Sequence, residues 1–263
     1  KKHRRCKHHS HERFPHGLIS EHLSKFLSIN WVIIPVNQII SSMGICRTAL
    51  PAQHMVQLFM SRTCKWGKLK VIGADLHKQT ADALITPANN RLSGREGLDA
   101  ITHKLAGEEL LKKCREISAE QRKLNLPPCP VTTNVVTEPY NLEKQFKHLI
   151  HVVSPDCRRP NQDERRRDLL PATYQNLFET LKELKDVRIV VSPPLSMGIF
   201  AYPSREGARL TLESLLGILD GDEDPEIDEY TIIVKDRNFI GNMRTVYRES
   251  EDQLPGFDST NEM

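Results

Sequence analysis

Short apolar runs alternate along the chain with longer segments whose apolar residues recur at helical spacing. The runs KLKVIGADL, ADALITPA, VTTNVVTEP, HLIHVVSP and YTIIVKD end at glycine, proline or charged residues, and they predict strands. RIVVSPPLS is apolar without alternation, which is typical of a strand covered on both faces. The intervening segments LDAITHKLAGEELLKKCREI, DLLPATYQNLFETLKEL and SREGARLTLESLLGIL predict amphipathic helices.

This alternation of strands and helices predicts an α/β fold of three layers, α/β/α, around a central mixed, mostly parallel sheet. The pattern is regular over residues 63–250, which we take as one domain. Residues 1–62 are predicted to form a basic, helical N-terminal extension, because apolar residues recur between Leu18 and Leu27, and residues 251–263 a C-terminal tail. Ligands of such sheets bind at the carboxyl ends of the strands, so the loops there are the candidate site.

Composition narrows the class of protein. The 263 residues are 38% hydrophobic and 27% charged, which is typical of a soluble globular chain, and a net charge of +3 is too small to indicate nucleic-acid binding by itself. Six cysteines without CxxC spacing favour a reducing, cytoplasmic compartment over a disulfide framework. The histidines around Cys6 lack a second ligand cluster, so no metal site is predicted. The sequence contains no Walker loop and no dinucleotide fingerprint, so we expect no cofactor.

One uncharged segment, Phe26–Cys46, is long enough to cross a bilayer. It contains Asn30, Pro35, Asn37 and Gln38, and buried amides are costly in lipid. We therefore predict a buried strand and a short helix here, and no membrane association.

Three loops at predicted strand ends carry unusual residues. ITPANNRLSGREGLDAITH, which starts at Ile85, leads through two glycines into a helix, and a helix N-terminus after a glycine-bearing loop favours anions. PPLSMGIFAYP, from Pro193 to Pro203, combines small residues with Phe200. VIGADL places Asp75 after a strand.

These elements, in this order, resemble the macrodomain family, whose members bind ADP-ribose and in some cases hydrolyse ADP-ribosyl linkages. The resemblance covers roughly residues 64–250. GADL stands for the family's GDI-type turn, ITPANN for its Asn-Ala-Ala-Asn-like run, and SGREGLDAITHKLAG for its glycine-rich loop and following helix. HLIHVVSP is similar to its His-Val-Val-Gly-Pro strand, and PPLSMGIFAYP to its Ser-Thr-Gly-Ile-Phe-Gly-Tyr-Pro loop.

The resemblance implies an ADP-ribose site. Asp75 and the Leu76 N–H would recognise adenine, Lys235 would lie over the base with Phe239 as an alternative, and Asn89 would bind the distal ribose. Two local interpretations stay open: Asp75 could cap a turn, and Asn89 could form an Asx-turn. The other predicted contacts are Gly94, Arg95, Gly97, Leu98, Ser196, Met197, Gly198, Ile199 and Phe200.

The resemblance also implies catalysis by Asn89 and Asp99, with Asp99 helping to activate or position a water; His103 is expected to pack. The first hypothesis is therefore a mono-ADP-ribosyl hydrolase that acts on modified proteins, and the alternative is a non-catalytic reader of them. A third hypothesis, a nucleic-acid-directed module, would use the basic residues 1–16 and the region Arg158–Arg167. Arg95 and Glu96 replace glycines of the family pattern, which puts binding strength and hydrolytic rate in question.

Overall fold

A computed structural model describes residues 56–158 and 166–249. Three predictions lie outside these residues: the helical extension over most of residues 1–62, the conformation of Phe26–Cys46, and the tail 251–263. The greater part of the arginine-rich region 158–167 is also outside them. Among the described residues, no helix has both the length and the apolar character needed to cross a membrane.

Seven strands form a single sheet with the order β1-β2-β7-β6-β3-β5-β4. The inner strands β2, β7, β6, β3 and β5 are parallel, and β1 and β4 pair antiparallel at the two edges. This confirms the predicted mixed, mostly parallel sheet. The strands are β1 Gln57–Cys64, β2 Gly67–Gly73, β3 Ala83–Pro87, β4 Asn134–Thr137, β5 His148–Val152, β6 Ile189–Ser192 and β7 Glu229–Ile233.

Helices pack on both faces of the sheet. They are α1 Gly97–Ala106, α2 Glu108–Lys123, α3 Arg166–Glu183, α4 Ser204–Leu219 and α5 Arg237–Glu249. Neighbouring residues of one strand enter different cores: Ile85 packs with the residues of α3, α4 and α5, whereas Leu84 packs with those of α1 and α2. Side chains of successive strand residues point to opposite faces, so this division shows the three-layer α/β/α arrangement.

The structure refines two of the sequence boundaries. The predicted boundary between residues 62 and 63 falls inside β1, which pairs with β2 from Gln57 to Cys64 and therefore belongs to the sheet. The helical segment that begins at Leu98 is divided into α1 and α2 at Gly107, whose φ is +94°. Ile101 and Leu105, two apolar residues of this segment that recur at helical spacing, are 46% and 42% exposed.

Asp82 joins the amino ends of three parallel strands. Its Oδ2 accepts hydrogen bonds from the N–H groups of Arg188 and Ile189, both at 2.8 Å, and its Oδ1 lies 2.8 Å from Lys147 Nζ. Burial opposes ionisation of this carboxyl, but Lys147 and the two N–H groups outweigh it and hold the pKa of Asp82 below its usual value. The ionised carboxylate therefore stabilises the register of β3, β5 and β6.

We predict that Asp82→Ala lowers the free energy of unfolding by about 1–3 kcal/mol, because it leaves two backbone N–H groups without their acceptor. A carboxyl whose pKa is lower in the folded than in the unfolded protein stabilises the fold above its unfolded pKa, about 3.9. That contribution is lost as pH falls through the folded pKa. The difference between wild type and variant, measured by urea unfolding, should therefore shrink below about pH 4.

The matched control is Glu223→Gln, which removes an exposed ion pair with Lys182. It should change stability by less than about 0.5 kcal/mol. An equal loss in both variants would contradict the special role of Asp82.

Candidate functional site

A small cavity of about 190 Å³ lies at the carboxyl ends of β3 and β6. Three segments line it: residues 87–89 at the end of β3, residues 96–99 at the start of α1, and residues of the loop 193–200 after β6. The position agrees with the expectation that the strand ends of a parallel sheet form the ligand crevice. Of the predicted contacts, this cavity brings together Asn89, Gly97, Leu98, Asp99, Ser196, Gly198, Ile199 and Phe200.

Backbone N–H groups without a partner occur on both walls of this cavity. In the loop after β6, the N–H groups of residues 198–200 have no hydrogen-bond acceptor among the described residues. On the other side, Gly97 and Leu98 open α1, and the first N–H groups of a helix have no acceptor within the helix. Free N–H groups and the positive end of a helix dipole bind anions. The cavity is therefore suited to a phosphate-bearing ligand.

The loop after β6 is anchored by Ser196. This residue is buried with a φ of +63°, and its hydroxyl donates to the carbonyl oxygen of Pro155 at 2.9 Å. Its side chain is thus committed to holding the loop, and its part in a ligand site is the backbone.

The two walls of the cavity approach each other at Gly97 and Ile199. Gly97 has a φ of +59°, and a Cβ built there would lie 2.9 Å from Ile199 Cδ1. The positive φ favours glycine here, whereas a Cβ would have to displace only the flexible end of the Ile199 side chain.

Asn89 organises the loop that follows β3. Its Oδ1 accepts from the N–H groups of Arg91 at 3.0 Å and Ser93 at 3.3 Å, and its Nδ2 donates to Ser93 Oγ at 2.6 Å. This is the Asx-turn that the sequence left open. One amide hydrogen of Asn89 remains for a ligand in the cavity.

Asp99 lies in α1 and is only 3% exposed. Its Oδ2 accepts from the Gly94 N–H at 3.2 Å, whereas its Oδ1 lies 3.6 Å from His103 Nε2 and 3.9 Å from His151 Nδ1. Burial lowers the pKa of His103, opposed by the nearby Asp99 and assisted by His151, so the imidazole is neutral at physiological pH. Asp99 is therefore held between a backbone donor and a pair of buried imidazoles.

A larger cavity of about 1210 Å³ adjoins the small one. Both are lined by Asn89, Glu96 and Phe200, so they communicate at these residues. Gly94 and Arg95 line the larger cavity and not the small one. Arg158 lies over the ring of Phe200, 5.4 Å from its centroid.

The predicted adenine-binding residues lie at the carboxyl ends of β2 and β7, which are on the opposite side of β6 from β3. Asp75 Oδ1 accepts from the His77 N–H at 3.2 Å, and its Oδ2 lies 3.6 Å from Lys235 Nζ. Burial would raise the pKa of Asp75, but Lys235 and the His77 N–H together lower it. Asp75 thus caps the turn Leu76–Lys78, as the alternative interpretation proposed, while its Oδ2 faces the exposed side chain of Lys235.

Comparisons with known proteins agree with this geometry. A family model described as the Macro domain matches residues 85–211. A macro domain-containing protein of Streptomyces nogalater is 31% identical over 147 residues, which are 56% of this chain and 76% of that protein. This chain belongs to the macro domain family.

Two further proteins resemble this macrodomain. The O-acetyl-ADP-ribose deacetylase of Cronobacter turicensis is 28% identical over 174 residues, which are 66% of this chain and 93% of that protein. A solved structure of an Oceanobacillus iheyensis macrodomain with ADP has a TM-score of 0.66 at 22% identity, and the alignment covers 76% of this chain and all of that one. The structural likeness confirms the fold.

Two sequence-based expectations about side chains need correction or restriction in this macrodomain. Phe239, in α5, is 1% exposed and packs in the hydrophobic core, so it does not replace Lys235 over a base. Met197 lines neither cavity, because its side chain packs toward Gly207 in α4, so only its backbone remains as a contact.

His151 is the residue of this macrodomain site that the sequence reasoning missed. It is fully buried in β5, and its Nε2 lies 3.1 Å from Thr137 Oγ1. A histidine inside the apolar run HLIHVV was the available signal, since a buried imidazole needs polar partners.

We predict that Gly94→Ala destabilises the macrodomain by at least about 2 kcal/mol. Gly94 has a φ of +61°, which costs about 1–2 kcal/mol for other residues. The added Cβ would also lie 2.3 Å from His103 Cγ, and overpacking typically costs about 1–3 kcal/mol. Thermal or urea unfolding measures the loss.

Gly241→Ala is the control, because it lies in α5 with open space around the added Cβ. Alanine is the better helix former, so this variant should gain about 0.5–1 kcal/mol. Equal stability of Gly94→Ala and wild type would show that the loop tolerates a side chain.

Proposed function

We propose that this macrodomain binds ADP-ribose and removes it from modified proteins by hydrolysis. The observation that carries the proposal is a cavity with free N–H groups on both walls and the buried carboxylate of Asp99 at one end. The relatives support the choice of ligand, since one is a deacetylase of O-acetyl-ADP-ribose and another was solved with ADP.

The order of strands supports a long ligand that lies across the sheet edge. Asp75 follows β2, Lys235 follows β7, the loop with the free N–H groups follows β6, and Asn89 follows β3. Three strand spacings separate β2 from β3, a span of about 14 Å. In the proposed pose, adenine lies at Asp75 and Leu76, the diphosphate at residues 197–200, and the distal ribose at Asn89 and Phe200.

The proposed reaction consumes one water. Asp99, oriented by the Gly94 N–H, draws a proton from the water while the water oxygen bonds to the anomeric carbon of the distal ribose, which carries the protein side chain. The bond between ADP-ribose and the protein side chain breaks, and the proton passes to the leaving group. The larger cavity beyond Phe200 provides room for the modified protein segment.

A reader without catalysis is the second candidate, and two observations favour it. Asp99 Oδ1 faces His103 and His151 instead of solvent, and the amide oxygen of Asn89 is occupied by two backbone N–H groups. Both arrangements commit polar atoms of the site to contacts within the protein, which suits a rigid binding site that performs no chemistry.

Calorimetric titration with ADP-ribose tests binding. We expect a micromolar Kd, and we expect Asp75→Ala to weaken binding at least about tenfold, because a hydrogen bond to a charged group contributes about 1.5–3 kcal/mol. An analogue of ADP-ribose with inosine in place of adenosine tests this contact, because hypoxanthine has an oxygen where adenine has an amine. Wild type should bind ADP-ribose more tightly than the analogue, whereas Asp75→Ala should bind the two with similar affinity. The control Asp222→Ala removes an exposed carboxylate that lines neither cavity at the site. The absence of heat with wild type at high micromolar ligand would overturn the whole assignment.

Release of ADP-ribose from modified protein distinguishes the enzyme from the reader. Asp99→Asn preserves the shape of the side chain and an acceptor for the Gly94 N–H, but it cannot take a proton. Release should fall by about 10²–10⁴-fold, the usual contribution of a general base, while the Kd for ADP-ribose changes little. If wild type releases nothing from glutamate-, aspartate- or arginine-linked substrates, the reader is the correct function. Full activity of Asp99→Asn would rule out Asp99 as the base.

A further inference from the structure

Beneath the loop 94–99, three buried residues from different elements bring metal-binding atoms together. They are His103 in α1, Cys114 in α2 and His151 in β5, with exposures of 7%, 1% and 0%. One donor atom of each lies within 4.8 Å of the others. Asp99 extends the group, because its Oδ1 lies 3.6 Å from His103 Nε2 and 3.9 Å from His151 Nδ1.

Most of these donor atoms lack a hydrogen-bond partner within the described residues. Both ring nitrogens of His103, Nδ1 of His151 and Oδ1 of Asp99 are buried and unpaired. Each buried polar group left without a partner costs about 1–3 kcal/mol, and the great majority in folded proteins are paired. Four such atoms in one place need a common explanation, and a shared ligand provides it.

The chemistry of the donors indicates which ligand. Two imidazoles, one thiol and one carboxylate form the mixed nitrogen, sulfur and oxygen set that tetrahedral Zn²⁺ accepts, whereas Mg²⁺ and Ca²⁺ prefer oxygen alone. Bonds of about 2.0–2.3 Å in a tetrahedron place the ligand atoms roughly 3.3–3.8 Å apart. The separations of 3.6 and 3.9 Å between Asp99 Oδ1 and the two histidines are close to this range. The donor atoms of His103, Cys114 and His151, which lie within 4.8 Å of one another, would have to move closer by up to about 1 Å.

The surroundings of the cluster also suit a metal site. Thr137 Oγ1 fixes the His151 ring through Nε2, and the Gly94 N–H holds the second oxygen of Asp99. Partners of this kind orient the ligands of known metal sites. His103 and Cys114 line the larger cavity, which gives an ion a route from solvent.

We infer that His103, Cys114, His151 and the Oδ1 of Asp99 form a zinc site that ties α1, α2 and β5 together. The ion is bound by the protein alone, so this site does not depend on the proposed ADP-ribose chemistry. Zinc binds Asp99 through Oδ1, and Oδ2 keeps its hydrogen bond from the Gly94 N–H.

Cobalt substitution tests the site directly, because a thiolate ligand gives Co²⁺ a strong near-ultraviolet charge-transfer band. The experiment uses the full chain with Cys6→Ser, since the histidine-rich residues 1–16 could bind metal through Cys6. We expect one Co²⁺ per chain with the thiolate band, and displacement by one equivalent of Zn²⁺. At a hundredfold excess over its Kd, Zn²⁺ should raise Tm by about 5–10 °C.

Variants in the same background identify the ligands. Cys114→Ser should abolish the band, and His151→Gln should weaken Co²⁺ binding at least about tenfold; both should reduce the zinc-dependent rise in Tm at the same zinc concentration. Cys64→Ser is the matched control, since this partly buried thiol lies on β1 and should keep the band and the shift. No band and no rise in Tm in the parent chain would overturn the proposal, whether or not the variants fold. A band that persists in Cys114→Ser would do the same.

Discussion

β3 is paired in parallel with β5 on one side and with β6 on the other, and its residues from Ala83 to Thr86 are fully buried. Because the three strands are parallel, their carboxyl ends lie at the same edge of the sheet, and the chain leaves β3 between the loops after β5 and β6. The position of the site follows from this constraint. The segment that carries Asn89 and Asp99 must leave the sheet at the same edge as the loop that contains Ser196 and Phe200.

The N–H groups at this edge have no acceptor within residues 56–158 and 166–249 because neither a strand nor a helix continues there. Backbone that turns at Ser196, with a φ of +63°, and at Gly97, with a φ of +59°, does not complete a regular hydrogen-bonding pattern. These positive values of φ are costly for most residues, and the anchoring bond from Ser196 to Pro155 stabilises one of them. The fold thus maintains a surface for anions that an unconstrained loop would not keep.

The inner face of α1 is polar. Asp99, Thr102 and His103 are buried, whereas Ile101 and Leu105 are exposed, which reverses the usual amphipathic pattern. Thr102 Oγ1 connects to His77 Nε2 at 2.9 Å and to Thr86 Oγ1 at 3.1 Å, so part of this face is satisfied by hydrogen bonds. Asp99 Oδ1 and both ring nitrogens of His103 have no such hydrogen bond among the described residues, and Asp99 lines the small cavity. A helix with this face gives less stability than an apolar one and supports function instead.

Much of the fold could be predicted from the sequence. Strand and helix positions followed from apolar periodicity, and the three-layer arrangement followed from their alternation, because burial on two faces requires continuous apolar runs. The predicted loops also do meet at one edge of the sheet. β1 was missed as a sheet strand because its pattern, QLFMSRTC, is amphiphilic and lies at an edge, where only one neighbour supports it.

The sequence by itself determined the order of the strands from β2 onward, the family resemblance and the residue types at each strand end, since these depend on local pattern and spacing. Only the tertiary structure decided how each polar side chain is used. Asn89 forms an Asx-turn, Arg95 faces the larger cavity, and His151 meets Asp99 from a strand far away in the chain. Contacts between distant segments depend on sheet order and packing, and a single sequence does not contain those distances.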